Sequence, residues 1–199
     1  MVFVVPIVEG SGEIDALPAL LHRIRIARQV QSQLDVNPPI RVKSGSFLND
    51  PPYFERYLQL AAAKAAQRQG SILILLDCED SCPAELGPKL LRDATALRPD
   101  VPSFVALAWR EYETWFLAAA RSLRGLDGLP ADLVPPANPE HFRDAKGWLG
   151  DRMPGRYDPI RHQSRFSKRM DLDAARTAQS FDRLYRYMIR LFEDENPHP

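Results

Sequence analysis

Acidic residues follow two apolar runs of the chain, at the point where each run ends. Residues 3–8 (Phe-Val-Val-Pro-Ile-Val) are followed by Glu9, a Gly-Ser-Gly turn and Glu13, and residues 72–76 are followed by Asp-Cys-Glu-Asp. Ligands of open α/β sheets bind at the carboxyl ends of the strands, and neighbouring strands lie about 5 Å apart. Carboxylates at that spacing can converge on Mg²⁺, which prefers oxygen ligands. The sequence therefore predicts a divalent-metal site, with phosphodiester chemistry as its use.

The candidate metal ligands are the acids nearest the two strand ends. Glu9 is the first residue past the first run, and Asp77 is the first past the second. Glu79, two residues beyond Asp77, shares its side if the strand conformation continues, and Asp80 stands beside it. Each acidic turn also has an ordinary structural explanation, as the start of a helix or as a capping sequence. Their recurrence at two matching strand ends favours the metal site.

The glycine turn after the first run invites a comparison with nucleotide-binding loops. Gly10-Ser11-Gly12 follows an apolar run, but Asp15 stands where the third glycine of the dinucleotide fingerprint belongs. Glu9 and Glu13 would also face the pyrophosphate. The chain contains no Gly-Lys-Ser/Thr of a Walker loop. We expect the glycines instead to allow backbone conformations that present the two glutamates inward.

The surrounding pattern predicts an α/β fold, in which strands and helices alternate as in three-layer domains. Residues 1–124 are expected to form this core and residues 125–199 a basic helical extension packed on it, as a single domain overall. The predicted strands are 2–8, 40–43, 71–76 and 103–108, and the predicted helices are 15–34, 53–69, 84–97, 111–123, 139–149 and 171–193.

Charge is unevenly distributed although the net charge is zero. Residues 141–190 hold twelve Lys or Arg against six Asp or Glu. A basic segment beside an acidic first part suits a metal centre next to a phosphate-binding surface, although a solvated helix face would have the same composition. The residues expected to follow a nucleic-acid backbone are Arg152, Arg156, Arg161, Arg165, Lys168 and Arg169.

The sequence shows neither a membrane-spanning segment nor an export signal, and this guides the expected location of the protein. The apolar runs are far shorter than the roughly 18 residues of a membrane-spanning segment, and no basic leader precedes the first run. Two cysteines, without an export signal, are expected to be reduced. We therefore expect a cytoplasmic protein with no membrane partner.

Together these motifs resemble a known group of domains. Val8-Glu9-Gly10 with Glu13, followed by residues 76–80, is similar to the metal-binding pattern of TOPRIM domains, which occur in topoisomerases, primases and OLD-type nucleases. Residues 108–118 (Ala-Trp-Arg-Glu-Tyr-Glu-Thr-Trp-Phe-Leu-Ala) more closely resemble the uncharacterised bacterial TOPRIM-like family called domain of unknown function 4276. Residues 144–146 and 180–184 extend that likeness over nearly the whole chain.

The resemblance implies a TOPRIM-like, mostly parallel four-stranded sheet with Mg²⁺ or Mn²⁺ held by Glu9, Asp77 and Glu79. The wider pattern has a second aspartate where Glu79 stands, so either Glu79 or its neighbour Asp80 is the third ligand. An additional acid and a lysine assist in nuclease-type domains, and Glu113, in preference to Glu111, and Lys146 are the matching residues.

The expected function is that of a metal-dependent nuclease, with Glu9, Glu13, Glu113 and Lys146 as catalytic residues. Glu9 or Glu13 would ligate metal or act as base, and Lys146 would offset developing charge. DNA is favoured over RNA as substrate, in bacterial defence or genome maintenance beside an ATPase partner. The alternative is a non-catalytic TOPRIM-like module that binds a partner through the C-terminal helix and Trp109, Trp115 and Trp148.

Overall fold

The computed structural model describes residues 1–79 and 81–194, and strands alternate with helices through the first half of the chain. The expected α/β class is confirmed. The strands are β1 (Val2–Val8), β2 (Leu34–Val36), β3 (Ile40–Arg41), β4 (Ser71–Asp77) and β5 (Ser103–Ala108), and the α-helices are α1 (Glu13–Ala27), α2 (Ser44–Asn49), α3 (Pro51–Ala66), α4 (Pro83–Leu97), α5 (Thr114–Ala118), α6 (Ala145–Gly150), α7 (Pro159–Ser167), α8 (Leu172–Ala175) and α9 (Gln179–Asp194).

Within the described residues the sheet is parallel throughout and has five strands, one more than expected. Its order is β2-β1-β4-β5, and β3 also pairs with β1. The additional strand lies where the first helix was predicted to continue to residue 34. That helix ends at Ala27, because Gln29 adopts a positive φ of 53°, and Leu34 then pairs with Val2. The sequence pattern therefore overstated the length of this helix.

Alternate residues of the central strands face two separate cores. Val4, Leu73 and Ala106 lie in one cluster with α1 and the C-terminal helices. Val5 and Ile74 lie in the other, against α3 and α4. Both faces of the sheet are covered, which explains why β1 and β4 are apolar along nearly their whole length.

The C-terminal segment, from residue 125 onwards, shares the core that α1 covers. Phe166 of α7 and Phe181, Leu184 and Met188 of α9 are fully buried in that cluster. No helix was predicted between residues 149 and 171, yet α7 begins at Pro159, and Asp158 caps it by accepting the N–H of Ile160. Asp before Pro is a favourable helix start, and α7 is the largest helix that the apolar pattern failed to predict.

Three other predicted helices are shorter or divided. The segment 111–123 contains α5 and a 3₁₀ turn (Ala120–Leu123), and 139–149 contains a 3₁₀ turn (Pro139–His141) and α6. The segment 171–193 is split into α8 and α9. Among the residues described, no helix is both long and apolar enough to cross a membrane.

The topology brings the two acidic turns together. β1 and β4 are adjacent and parallel, with Val8 opposite Leu75, and β5 pairs with β4 so that Asp77 is opposite Ala108. The segments that follow these three strands therefore meet at one edge of the sheet.

Candidate active site

The glycine turn after β1 is shaped around the carboxylate of Glu13. This carboxylate accepts the backbone N–H groups of Glu9 and Gly10, each at 3.2 Å. A Cβ at Gly10 would lie 2.8 Å from Glu13 Oε1. A Cβ at Gly12 would lie 2.5 Å from the carbonyl oxygen of Pro159. Neither glycine has a positive φ, so close approach, rather than the expected backbone freedom, requires them.

Glu9 lies at the rim of this turn. Its Oε1 accepts a hydrogen bond from Ser44 Oγ at 2.5 Å, and its carbonyl oxygen accepts one from Arg41 Nε at 3.1 Å. These contacts fix Glu9 against the end of β3 and the start of α2. The side chain is partly exposed, so it lies between the interior of the site and solvent.

Asp77 occupies the end of β4 beneath the segment that follows β5. Its Oδ1 accepts the backbone N–H of Tyr112 at 2.8 Å. Its Oδ2 lies 3.5 Å from Lys146 Nζ. One oxygen is thus used to fix the turn after β5, and the other faces the site.

Lys146 is the point at which the acids meet. Its Nζ lies 3.0 Å from Glu111 Oε1 and 3.5 Å from both Asp77 Oδ2 and Glu113 Oε2. Glu111 Oε2 also accepts the backbone N–H of Lys146 at 3.2 Å. Asp144 positions this lysine, because it caps α6 by accepting the N–H of Gly147 at 2.8 Å. We refer to Glu9, Glu13, Asp77, Glu111 and Glu113 as the carboxylate cluster.

Glu113 is the most deeply buried member of the cluster, with no exposed surface. Its Oε1 accepts hydrogen bonds from Tyr157 Oη at 3.0 Å and from Gln163 Nε2 at 2.8 Å. Its Oε2 is buried and accepts no hydrogen bond within the described residues. A buried carboxylate oxygen without a donor is costly unless a cation faces it, and here Lys146 does so at 3.5 Å.

Burial and mutual repulsion perturb the titration of this cluster. Burial, opposed by the N–H groups of Gly10 and Glu9 and reinforced by Glu113, raises the pKa of Glu13 to about 7. Burial and then repulsion by Glu13 and Glu113 raise the pKa of Asp77 well above its usual value. Burial also raises the pKa of Glu113. These shifts indicate that the cluster has more negative charge than its surroundings compensate.

The negative charge of the cluster raises the pKa of Lys146. Burial acts to lower the pKa of the ammonium, but attraction by Glu113, Asp77 and Glu111 outweighs burial and raises it. Lys146 is therefore charged at all physiological pH values. It is a fixed cation rather than a nucleophilic amine.

The donor set suits a hard divalent cation. The groups that converge are carboxylate oxygens, which Mg²⁺ and Mn²⁺ prefer, and Glu113 Oε2 lacks a hydrogen bond among the described residues. In the arrangement described, no three Asp, Glu, His or Cys side chains form a preassembled metal-binding group. The ammonium of Lys146 instead lies among three of the carboxylates. The residues thus fit a metal by chemistry and charge, and the structure does not show its coordination geometry.

The other two predicted metal ligands are placed differently. Glu79 is exposed, has a positive φ of 39° and is not among the acids that contact Lys146. Its backbone is fixed to the segment after β5, because Arg110 Nη1 donates to the Glu79 carbonyl oxygen at 2.9 Å. Asp80 lies outside the described residues. Glu79 instead lines a cavity beside the carboxylate cluster.

The six basic residues expected to contact nucleic acid are all exposed. Two of them make local contacts: Arg152 covers the ring of Trp148 at 4.1 Å, and Arg165 pairs with Asp127 at 2.8 Å. Arg161, Arg165 and Lys168 recur at helical spacing along α7 and its end. The same helix sends Gln163 to Glu113, so this basic face is attached directly to the carboxylate cluster.

Most of the apolar side chains that the partner-binding alternative would place in an interface are buried in the core of the protein. Trp115 is fully buried and donates from Nε1 to Ser180 Oγ at 2.8 Å. Trp148 is only 8% exposed, and the apolar stripe of α9 lies in the core. Trp109 alone of the three tryptophans is partly exposed. Trp115, Trp148 and the apolar stripe of α9 are therefore engaged within the chain itself.

Several site residues were missed or ranked too low from the sequence. Glu111 was set aside in favour of Glu113, yet both face Lys146. Tyr157 and Gln163 were missed because α7 was not predicted. The Asp158-Pro159 start, followed by His162, Gln163 and Phe166 at helical spacing, is the signal that could have identified them.

A family model matches most of the chain. The family model described as "Domain of unknown function (DUF4276)" matches residues 8–189. The match spans Glu9, every other member of the carboxylate cluster and Lys146. No curated protein and no solved structure matches the chain.

Proposed function

We propose that this chain, which belongs to the family described as Domain of unknown function (DUF4276), is a divalent-metal-dependent phosphodiesterase that cleaves nucleic acid at the carboxylate cluster. The observation that carries the proposal is the meeting of Asp77, Glu111 and Glu113 around Lys146, at 3.0–3.5 Å, at the carboxyl edge of a parallel sheet. Two further acids, Glu9 and Glu13, adjoin them through the turn after β1.

The charge of the cluster explains why a metal would be required. Five carboxyl groups and one ammonium would repel a phosphodiester unless additional positive charge is present. A bound Mg²⁺ or Mn²⁺ would supply that charge and the Lewis acidity that makes water a better nucleophile. Asp77 and Glu13, whose pKa values are raised by burial, are the residues we assign to hold it, with Glu9 at the rim.

The chain's own groups have separable roles. Glu9, which is partly exposed at the rim of the site, is the carboxylate that we assign as general base, because Asp77 and Glu13 are assigned to the metal. Lys146 carries a fixed positive charge that can stabilise the charge developing on the phosphoryl oxygens. Glu111 and Glu113 hold this ammonium in place, and Tyr157 and Gln163 in turn hold Glu113. We assign Glu113 as a positioning residue.

Substrate binding is assigned to the basic face of α7 and the loop before it. Arginine and lysine contacts to phosphates fix the position of a strand without reading its sequence. The preference for DNA and the association with an ATPase rest on the resemblance to OLD-type nucleases and are part of the proposal. The apolar stripe of α9 is in the core, so no described contact favours the partner-binding alternative.

The decisive experiment is a nuclease assay with Mn²⁺ or Mg²⁺ over plasmid DNA, linear single-stranded DNA and RNA. We expect the wild-type chain to cleave at least one substrate, and Asp77→Asn and Glu9→Gln to lose that activity. Glu85→Gln, an exposed acid on α4, is the matched control and should remain active. Circular dichroism checks that each variant is folded. Full activity in Asp77→Asn, or no cleavage of any substrate by the wild type, would overturn the proposal.

A further inference from the structure

A cavity of about 610 Å³ opens beside the carboxylate cluster. It is bounded by the turn after β4, the segment after β5 and the first half of α9. Its volume lies within the range of roughly 300–1,000 Å³ typical of small-molecule sites. Glu79 and Trp109 line it on the side of the sheet, which places it next to the site rather than on a remote surface.

Arginine dominates the wall of this cavity. Arg110, Arg176, Arg183 and Arg186 line it, against two described carboxylates, Glu79 and Asp182. Such a concentration of guanidinium groups favours an anionic ligand, because the planar donor fork matches phosphate and carboxylate geometry.

The arginines that line the cavity differ in whether they already form ion pairs within the protein. Asp182 pairs with Arg176 at 2.8 Å and with Arg186 at 2.9 Å, so one carboxylate orients two guanidinium groups. Arg183 forms no ion pair or hydrogen bond within residues 1–79 and 81–194. Its Nη1 lies 4.0 Å from the position that a Cβ would take at Gly87, on the neighbouring α4. Arg183 is therefore the cation that remains available to a ligand.

The cavity and the carboxylate cluster share two chain segments. Glu79 follows Asp77 by two residues, and Arg110 directly precedes Glu111. The cavity therefore adjoins the carboxylate cluster along both segments, so a strand bound at Asp77 can extend towards it. Leu107 and the indole of Trp109 supply apolar wall that a bare phosphate would not need and that a nucleoside can cover.

We infer that the cavity binds a nucleoside monophosphate unit, with its phosphate on Arg183 and its nucleoside against the wall formed by Leu107 and Trp109. The choice of ligand rests on the proposed nuclease function. The shared chemistry, a phosphate monoester on a nucleoside, has two possible sources, namely the end of a nucleic-acid strand or a free mononucleotide.

Binding can be tested without catalysis. The protein is the Asp77→Asn variant with EDTA, titrated calorimetrically with thymidine 5′-monophosphate, thymidine, inorganic phosphate, and oligothymidylates carrying a 5′-phosphate or a 5′-hydroxyl. The same titrations use Arg183→Gln in that background. Arg190→Gln is the matched control. Arg190 lies two turns beyond Arg183 on α9 and does not line the cavity, so this variant loses the same charge away from the proposed site.

We expect the phosphorylated nucleoside to bind more tightly than thymidine or phosphate, and Arg183→Gln to weaken it by about tenfold or more, the usual worth of a hydrogen bond to a charged group. Binding of the free nucleotide that is as tight as, or tighter than, binding of the 5′-phosphorylated oligonucleotide would assign a free mononucleotide as the ligand. Tighter binding of the oligonucleotide would assign a strand.

Three results would overturn the inference: no binding of any phosphorylated ligand, equal effects of Arg183→Gln and Arg190→Gln, or phosphate binding as tightly as the nucleotide. Because the titration needs neither metal nor turnover, its failure is distinct from failure of the nuclease assay. An active nuclease that binds the ligands unchanged in Arg183→Gln refutes only the cavity assignment.

Discussion

The ammonium of Lys146 lies 3.5 Å from Oε2 of Glu113, a carboxylate oxygen with no exposed surface and no hydrogen bond within the described residues. The two residues are 33 positions apart, and Lys146 reaches the site from the start of α6. Its ammonium therefore provides positive charge beside an oxygen of the deepest acid that accepts no hydrogen bond from the described residues. A bound divalent cation would provide charge of the same sign.

The first prediction concerns this overlap of roles. Lys146→Met removes the ammonium and keeps much of the apolar stem, so Asp77, Glu111 and Glu113 lose their shared cation. We expect a lower melting temperature in EDTA, loss of nuclease activity, and a larger rise in melting temperature on addition of Mn²⁺ than in the wild type, since a ligand stabilises the state that binds it. Differential scanning fluorimetry with and without Mn²⁺ measures both effects.

Lys168→Met is the matched control for this prediction, because Lys168 is exposed and has no ion pair among the described residues. It should leave the Mn²⁺ dependence of stability unchanged. A Lys146→Met protein as stable as the wild type in EDTA would show that the cluster does not need the ammonium.

The second prediction concerns the space around Glu13. Gly10→Ala places a methyl group 2.8 Å from Glu13 Oε1, which displaces the carboxylate from the N–H groups of Glu9 and Gly10. We expect activity to fall by at least about tenfold while the protein remains folded, since each hydrogen bond to a charged group contributes about 1.5–3 kcal/mol. Gly12→Ala meets the carbonyl oxygen of Pro159 at 2.5 Å, and should lower the free energy of unfolding by about 1–3 kcal/mol.

Gly45→Ala is the control for both glycine variants. No atom lies within 4 Å of a Cβ at this position, and Gly45 is within α2, where alanine is favoured by up to about 1 kcal/mol. Chemical denaturation and the nuclease assay should therefore show an active protein of equal or higher stability. Wild-type activity in Gly10→Ala would argue against a role for the placement of Glu13.

The sequence predicted which acids lie at the edge of the sheet. It did not predict the residues that hydrogen-bond to those acids. β1 and β4 are continuous apolar runs, so their ends, Glu9 and Asp77, could be located from local pattern alone. The partners of Glu113 come from Tyr157 and Gln163, more than forty positions away, and depend on how α7 packs against α1. The direction of Glu79 depends on a single positive φ, which an acidic sequence does not predict.

The third prediction follows from the raised pKa of Glu13. The native state holds this proton up to about pH 7, whereas a glutamate with the usual pKa of 4.5 has lost it. Because the folded chain binds more protons than the unfolded chain between these values, the free energy of unfolding should fall as pH rises from 4.5 to 7. The upper limit of this loss is roughly 3 kcal/mol. Urea unfolding in EDTA at several pH values measures it.

Glu13→Gln should remove this part of the pH dependence, leaving the part due to Asp77 and Glu113, whose pKa values are also raised. Glu85→Gln, exposed on α4, should retain the wild-type profile. Mn²⁺ at saturating concentration should reduce the slope as well, since a bound cation favours the ionised carboxylates. An unchanged slope in Glu13→Gln would place the titrating group elsewhere.

The last prediction tests whether the basic surface attached to the carboxylate cluster binds nucleic acid. Arg161, Lys168 and Arg169 are exposed and form no ion pair within the described residues, so each is available to neutralise a phosphate. Their replacement by glutamine should weaken DNA binding by catalytically inactive Asp77→Asn protein. It should also reduce the slope of log K against log salt concentration by roughly 2–3, about one unit per contact. Fluorescence anisotropy over a range of salt concentrations measures both quantities.

The control replaces three exposed arginines of α3, α4 and the end of α1, namely Arg56, Arg92 and Arg28. The control changes net charge equally, so a similar loss in both triple variants would indicate a general charge effect, and only a loss specific to the α7 surface supports a defined path for the strand.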